Sequence, residues 1–127
     1  MISLDIKGAF DNAEWPTILQ QLRRKGCPKN IYNLVMDYFR NRRITLGHGG
    51  HTREKVTLKG CVQGSICGSL FWNILMDGLL EKEWGEGVYI SAFADDVALV
   101  VEGSDSRIVE VRANRSLDLA IRWGEDV

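Results

Sequence analysis

The sequence predicts an α+β fold, an antiparallel sheet backed by helices, on three observations. Short segments alternate apolar and polar residues as strands do, longer ones repeat apolar residues every three or four positions, and strand-like segments pair as hairpins. Strict strand–helix–strand alternation, the mark of a parallel sheet, is absent. With 127 residues, 45% of them hydrophobic, the chain can fill one core and is too short for two ordinary ones. A single domain over residues 1–127 is therefore expected.

The elements follow in order. Ile2, Leu4 and Ile6 alternate with Ser3, Asp5 and Lys7, a half-buried strand that directs Asp5 away from the aliphatic face. Trp15, Ile18, Leu19 and Leu22 then recur at helical spacing, after a start signal at Asp11 or Asn12 with Pro16, and Gly26-Cys27-Pro28 closes that helix. Ile31, Leu34, Val35 and Tyr38 repeat the pattern in a second helix expected to end at Arg42-Arg43. Ile44–Leu46 and Lys55–Leu58 flank Gly47-His48-Gly49-Gly50, a hairpin whose loop reads as longer than the tightest turns. The glycine-rich run Gly60–Gly68 delivers Gln63 to the start of a helix carrying Phe71, Trp72, Leu75, Met76 and Leu79. Val88–Ala94 and Val97–Val101 form a second hairpin with Asp95-Asp96 at or near its turn. Ser104-Asp105 can cap a last helix with Val109, Ala113, Leu117 and Ala120 along one side. There is no internal repeat and no low-complexity segment.

Composition narrows the function classes. Sixteen Lys+Arg against 17 Asp+Glu nearly cancel, so any contact with a polyanion must be local. Two clusters, Arg23-Arg24-Lys25 with Lys29 and Arg40-Asn41-Arg42-Arg43, supply local positive charge, although cations also collect at solvated helix ends. Three cysteines, Cys27, Cys61 and Cys67, lack the spacing of a disulfide framework and read as free thiols. No charged-then-apolar leader opens the chain, and no apolar run reaches the roughly 18 residues of a membrane span. An intracellular protein without a membrane partner is expected. A strand that begins at once and a helix that ends just before the last residues suggest a piece of a longer polypeptide.

The chemistry concentrates in the carboxylates. Adjacent like charges between apolar runs are costly unless a cation lies between them. Asp5 and Asp95-Asp96 each fall at a strand end, so neighbouring strands could bring them onto one face. Two Mg²⁺ ions roughly 3.5–4 Å apart use such a set to clamp the attacking and leaving oxygens of a phosphoryl displacement. Mg²⁺ suits it, since it takes one or two carboxylates and fills the rest of its shell with water and phosphate oxygens. Taken singly, each acid could equally be a turn cap or a solvated hairpin tip.

Three blocks in this order resemble the palm domain of reverse transcriptases, and within that family the non-LTR (LINE-type) retrotransposon enzymes. Leu4-Asp-Ile-Lys-Gly-Ala-Phe-Asp-Asn12 is similar to the first catalytic motif. Gly60-Cys-Val-Gln-Gly-Ser65 through Phe71-Trp-Asn73 is similar to the second, and Phe93-Ala-Asp-Asp96 to the third. The resemblance covers almost the whole chain. It implies a palm-type sheet with fingers and thumb largely missing, and RNA-directed DNA polymerisation by nucleotidyl transfer from a dNTP to a primer 3′-hydroxyl. It makes Asp5 and Asp95 ligands of both Mg²⁺ ions, for which Mn²⁺ can substitute, and Asp96 the less committed third carboxylate. The Ile6 carbonyl would complete a metal shell, and Phe10 would be the aromatic gate that rejects a 2′-hydroxyl. Gln63 and Gly64 would lie against nucleotide and template. The implied partners are an RNA template, a DNA primer, dNTP and the remainder of a polyprotein, with action in cytoplasm and nucleus.

The sequence departs from the family pattern at Val62 and Ser69, where prolines are usual, which would loosen the loop by about 0.4–1 kcal/mol per site. Rival readings are an inactive retroelement remnant that at most binds RNA, and a group II intron-type maturase reverse transcriptase. A Cys67 nucleophile with His48 or His51 lacks an orienting third group. Zinc on His48, His51, Cys61 and Cys67 lacks the spacing of a structural site.

Overall fold

Asp5 closes a strand whose alternate residues turn inward: in the computed structural model, which describes residues 1–126, β1 (Ile2–Asp5) half-buries Ile2 and Leu4 and exposes Ser3 and Asp5. β1 is an edge strand of a three-stranded antiparallel sheet ordered β1-β5-β4, with β4 at Val88–Phe93 and β5 at Asp96–Val101. Val97 and Leu99 on β5 are buried between their neighbours' inward residues, as the alternation predicts.

Helices back that inner face. α4 (Ile66–Leu80) is the central one and contributes Phe71, Trp72, Leu75, Met76 and Leu79 to the core. Against it lie α2 (Trp15–Arg24), with Trp15 and Ile18, and α5 (Ser106–Glu125), with Trp123. Gly78 lets α4 come close to both, since a Cβ there would lie 2.7 Å from Gln21 Nε2 and 3.6 Å from Trp123 Nε1. Burying a Leu such as Leu75 or Leu79 stabilises the fold by about 1.5–3 kcal/mol. Surface ion pairs matter less. Lys25 Nζ lies 2.8 Å from Glu81 and 2.9 Å from Asp77, and these hydrogen bonds raise its pKa and tie α2 to the end of α4.

The predicted element order holds, with four local corrections. Asp11 and Asn12 do not start α2; they lie in an extra one-turn helix, α1 (Ala9–Asn12), and Glu14 takes the N-cap position of α2 without a side-chain bond. α3 (Lys29–Phe39) stops before Arg42-Arg43, since its C-cap Arg40 is already extended at ψ 133° and Asn41 follows with a left-handed φ of 53°, so the arginines lie in the connection and Arg42 stacks over Tyr38 instead. The stripe on α3 is only partly used, with Phe39 buried and Leu34 65% exposed. The loop of the β2 (Arg43–His48) and β3 (His51–Val56) hairpin is just Gly49-Gly50, whose φ values of 56° and 79° are those a tight two-residue turn demands.

Among the described residues no helix is long and apolar enough to cross a membrane.

Candidate active site

Backbone pairing assembles the carboxylates. Antiparallel register sets Asp5 directly opposite Asp96, and the Ile6 N–H donates to the Asp95 carbonyl at 3.3 Å just beyond the ladder. Directly opposed residues share a face, so the Asp5 and Asp96 side chains both stand on the sheet's open side. Ser3, Ala98, Ser91, Tyr89 and Phe93 occupy the same side by register, and Phe93 is 84% exposed. Asp95, half-buried, sits in the two-residue turn between β4 and β5. No ion pair engages any of these three acids among the described residues.

Register brings Asp5 and Asp96 opposite one another, with Asp95 in the adjoining turn, and the three acids do not form a closed cage. Among the described residues no three His, Cys, Asp or Glu side chains converge to hold a metal by themselves. Asp5, Asp95 and Asp96 offer only oxygen donors, the kind Mg²⁺ takes while water and substrate phosphates complete its shell, and not the nitrogen and sulfur donors of a structural zinc site. The Ile6 carbonyl accepts the Ala9 N–H at 3.2 Å and keeps a second lone pair. His48, His51, Cys61 and Cys67 make no metal group either.

One turn of helix carries Phe10 to the same region. Gly8, with φ 66°, makes the bend after β1 that starts α1. The Phe10 ring stacks on Trp72 with centroids 5.7 Å apart and planes at 30°. The Trp72 indole N–H donates to the Ala94 carbonyl at 2.8 Å. Trp72 thus touches both the Phe10 ring and the residue preceding Asp95. In the sequence Trp72 stands in an apolar helical stripe and within the second family block, and neither signal assigns it these two contacts.

The glycine-rich loop is fastened to the same place. The Cys61 N–H donates to the Phe10 carbonyl at 2.6 Å, the Gly60 N–H to Ala13 at 2.8 Å, and the Trp15 indole to the Gly60 carbonyl at 2.9 Å. Gly60 must be glycine, since its φ is 96° and a Cβ would lie 3.0 Å from the Asp11 carbonyl oxygen. Gln63 and Gly64 follow, both exposed, with Gly64 at φ 78°. Gln63 lies on a loop, three residues before α4, and lines a cleft of about 410 Å³ with Asp11, Arg42, Arg43, Lys59 and Cys61. That cleft holds none of Asp5, Asp95 and Asp96.

Ser65 ties the glycine-rich loop to the start of α4. Its hydroxyl donates to the Val62 carbonyl at 2.8 Å and accepts the Gly68 N–H at 2.9 Å, capping α4. Ser65→Ala should cost about 1 kcal/mol of stability by urea unfolding; a midpoint unchanged from the unmodified chain would discount the cap.

Burial pushes the Cys61 thiol from an ordinary 9.0 up to about 11, against a smaller lowering by Arg42. Cys61 therefore stays a thiol at neutral pH, while Cys67 is exposed. Since the folded pKa is the higher, the unfolded chain loses its proton first, and stability should fall as pH rises from 9 to about 11. Alkylation at pH 8 should label Cys67 and spare Cys61; equal labelling would contradict the burial.

Comparison with known proteins identifies the family. Residues 1–126 match the family described as reverse transcriptase (RNA-dependent DNA polymerase). The chain belongs to that family. It is 37% identical over 124 residues to a 115 kDa protein of the type-1 retrotransposable element R1DM of Drosophila melanogaster, covering 98% of this chain and 12% of that protein. It is 35% identical over 127 residues to the retrovirus-related Pol polyprotein of the type-1 element R1 of Bradysia coprophila, covering 99% of this chain and 12% of the relative. A Pol polyprotein of the type-2 element R2DM of Drosophila melanogaster is 32% identical over 109 residues, covering 79% of this chain and 10% of the relative. These are non-LTR retrotransposon proteins, and the chain spans about an eighth of the first two relatives' length.

Proposed function

We propose that this chain is the palm of an RNA-directed DNA polymerase, acting within a polyprotein that supplies further contacts to RNA template and DNA primer. The observation that carries the reading is the register that sets Asp5 opposite Asp96, beside Asp95, on an open sheet face. In the reaction the primer 3′-oxygen bonds to the α-phosphorus of a dNTP as the bond to pyrophosphate breaks.

Asp5, Asp95 and the Ile6 carbonyl would hold Mg²⁺, with Asp96 as a third, looser donor. Mg²⁺ bound there supplies charge stabilisation at the attacking and departing oxygens. The protein's work is positioning, so no protein nucleophile is needed. Phe10 presents its ring where a 2′-hydroxyl would collide, and the Gln63-Gly64 loop offers a close backbone approach to the nucleotide. The hydroxyl bonds of Ser65 support an ordered loop despite Val62 and Ser69.

The test is Mg²⁺-dependent primer extension on an RNA template, by the 127-residue chain and by a polypeptide extended to the length of its relatives. Template-dependent DNA synthesis is expected of the extended polypeptide. Folded protein that binds RNA but extends no primer would establish the remnant reading instead. Phe10→Ala should raise the ribonucleotide-to-deoxynucleotide incorporation ratio, and an unaltered ratio would remove Phe10 from sugar selection.

A further inference from the structure

We infer that Trp72 is a positioning residue that couples the sugar-selecting ring of Phe10 to the Asp95 turn, a role that rests on the polymerase reading above. Trp72 is 2% exposed and stands on the central helix α4, so its ring has little freedom of its own. It presents two functions in two directions. Its face meets Phe10 at 5.7 Å, and its N–H meets the Ala94 carbonyl at 2.8 Å.

The second contact lands where the backbone needs holding. Ala94 has φ 55°, a left-handed conformation that a residue with a Cβ adopts at a cost. The peptide that carries the Ala94 carbonyl also carries the Asp95 N–H, so the indole bond fixes the plane from which Asp95 projects. Letting that peptide rotate would swing the Asp95 carboxylate relative to Asp5, which the β1–β5 ladder holds separately. Nothing else among the described hydrogen bonds reaches the Ala94 carbonyl.

Phe10 is fixed from the other side. Its own carbonyl accepts the Cys61 N–H at 2.6 Å, and its ring leans on Trp72. The first and third sequence blocks therefore meet through one side chain of the second. A displacement of the Phe10 ring is transmitted to the metal-binding turn, and the reverse.

The two contacts separate chemically. Replacing Trp72 by 3-benzothienylalanine keeps the fused ring and deletes only the N–H donor. Trp72→Leu deletes both stacking and donor. The benzothienyl chain should keep its melting temperature near that of the unmodified protein and bind Mn²⁺ about two- to tenfold more weakly by electron paramagnetic resonance titration. Its ribonucleotide-to-deoxynucleotide incorporation ratio should not change. Trp72→Leu should weaken Mn²⁺ binding and also raise that ratio, as Phe10→Ala does.

Asp95→Asn serves as the reference. If it weakens Mn²⁺ binding while the benzothienyl chain binds as tightly as the unmodified one, the role of Trp72 is overturned and the metal assignment stands. If Asp95→Asn leaves Mn²⁺ binding intact, the metal assignment falls and the role of Trp72 falls with it. Should Trp72→Leu fail to fold, the benzothienyl chain decides the matter alone, because its shape is conserved.

Discussion

Asp5→Asn is expected to lower primer extension by at least about a thousandfold, since losing a metal ligand removes several kcal/mol of transition-state stabilisation and each 1.36 kcal/mol is tenfold. The same substitution should make the metal-free chain more stable. Asp5 and Asp96 face one another across the ladder, where opposed like charges destabilise a sheet, so neutralising one should gain about 0.2–1 kcal/mol. Opposite signs for activity and stability separate a functional carboxylate from one kept for structure. Asp95→Asn should lose activity to a similar extent, with a smaller stability gain, because Asp95 lies in the turn and outside the opposed pair. Extension at the unmodified rate in either variant would refute the metal assignment, and a lower metal-free melting temperature for Asp5→Asn would refute the argument from repulsion.

Gly68→Ala should be among the most damaging conservative changes in the chain. Alanine at that third helical position would ordinarily help, by up to about 1 kcal/mol of helix propensity. Here its methyl would overlap the Val62 carbonyl oxygen and lie 2.9 Å from Ser65 Oγ. Both belong to the turn that caps α4, so relief requires moving the backbone, and overpacking of this kind costs about 1–3 kcal/mol. The overlap outweighs the propensity. Urea unfolding should show a net loss. Because the displaced segment is Val62–Ser65, a folded Gly68→Ala protein should also bind nucleotide more weakly, raising KM more than it lowers kcat. A variant as stable as the unmodified chain would show that α4 and the loop can separate without cost.

These two sites differ in how far they could be read from sequence. The carboxylates could be picked out as candidates, because paired acids between apolar runs have few structural uses and the motif order singled them out. Their opposition was not, since it depends on which residue of β1 pairs with which residue of β5. The need for glycine at position 68 was equally hidden: Gly60, Gly64 and Gly68 look alike in sequence, yet two answer to positive φ and the third to a neighbouring carbonyl. The misread helix ends have a similar cause. Asp11, Asn12 and Arg42 carry the residue types that favour helix termini, and an extended Arg40 and the extra turn α1 decided otherwise.

What the sequence by itself determined is local and periodic: the element order, the inward faces, the caps at Asp105 and the family blocks. Such features depend on residues within a turn or two of each other, where spacing and side-chain type suffice. What only the tertiary structure decided is the meeting of distant groups. Asp5 comes opposite Asp96 through a ladder register, and Phe10 reaches Ala94 through the single indole of Trp72. Neither follows from spacing, because strand register and ring packing are set by how the whole core closes around α4.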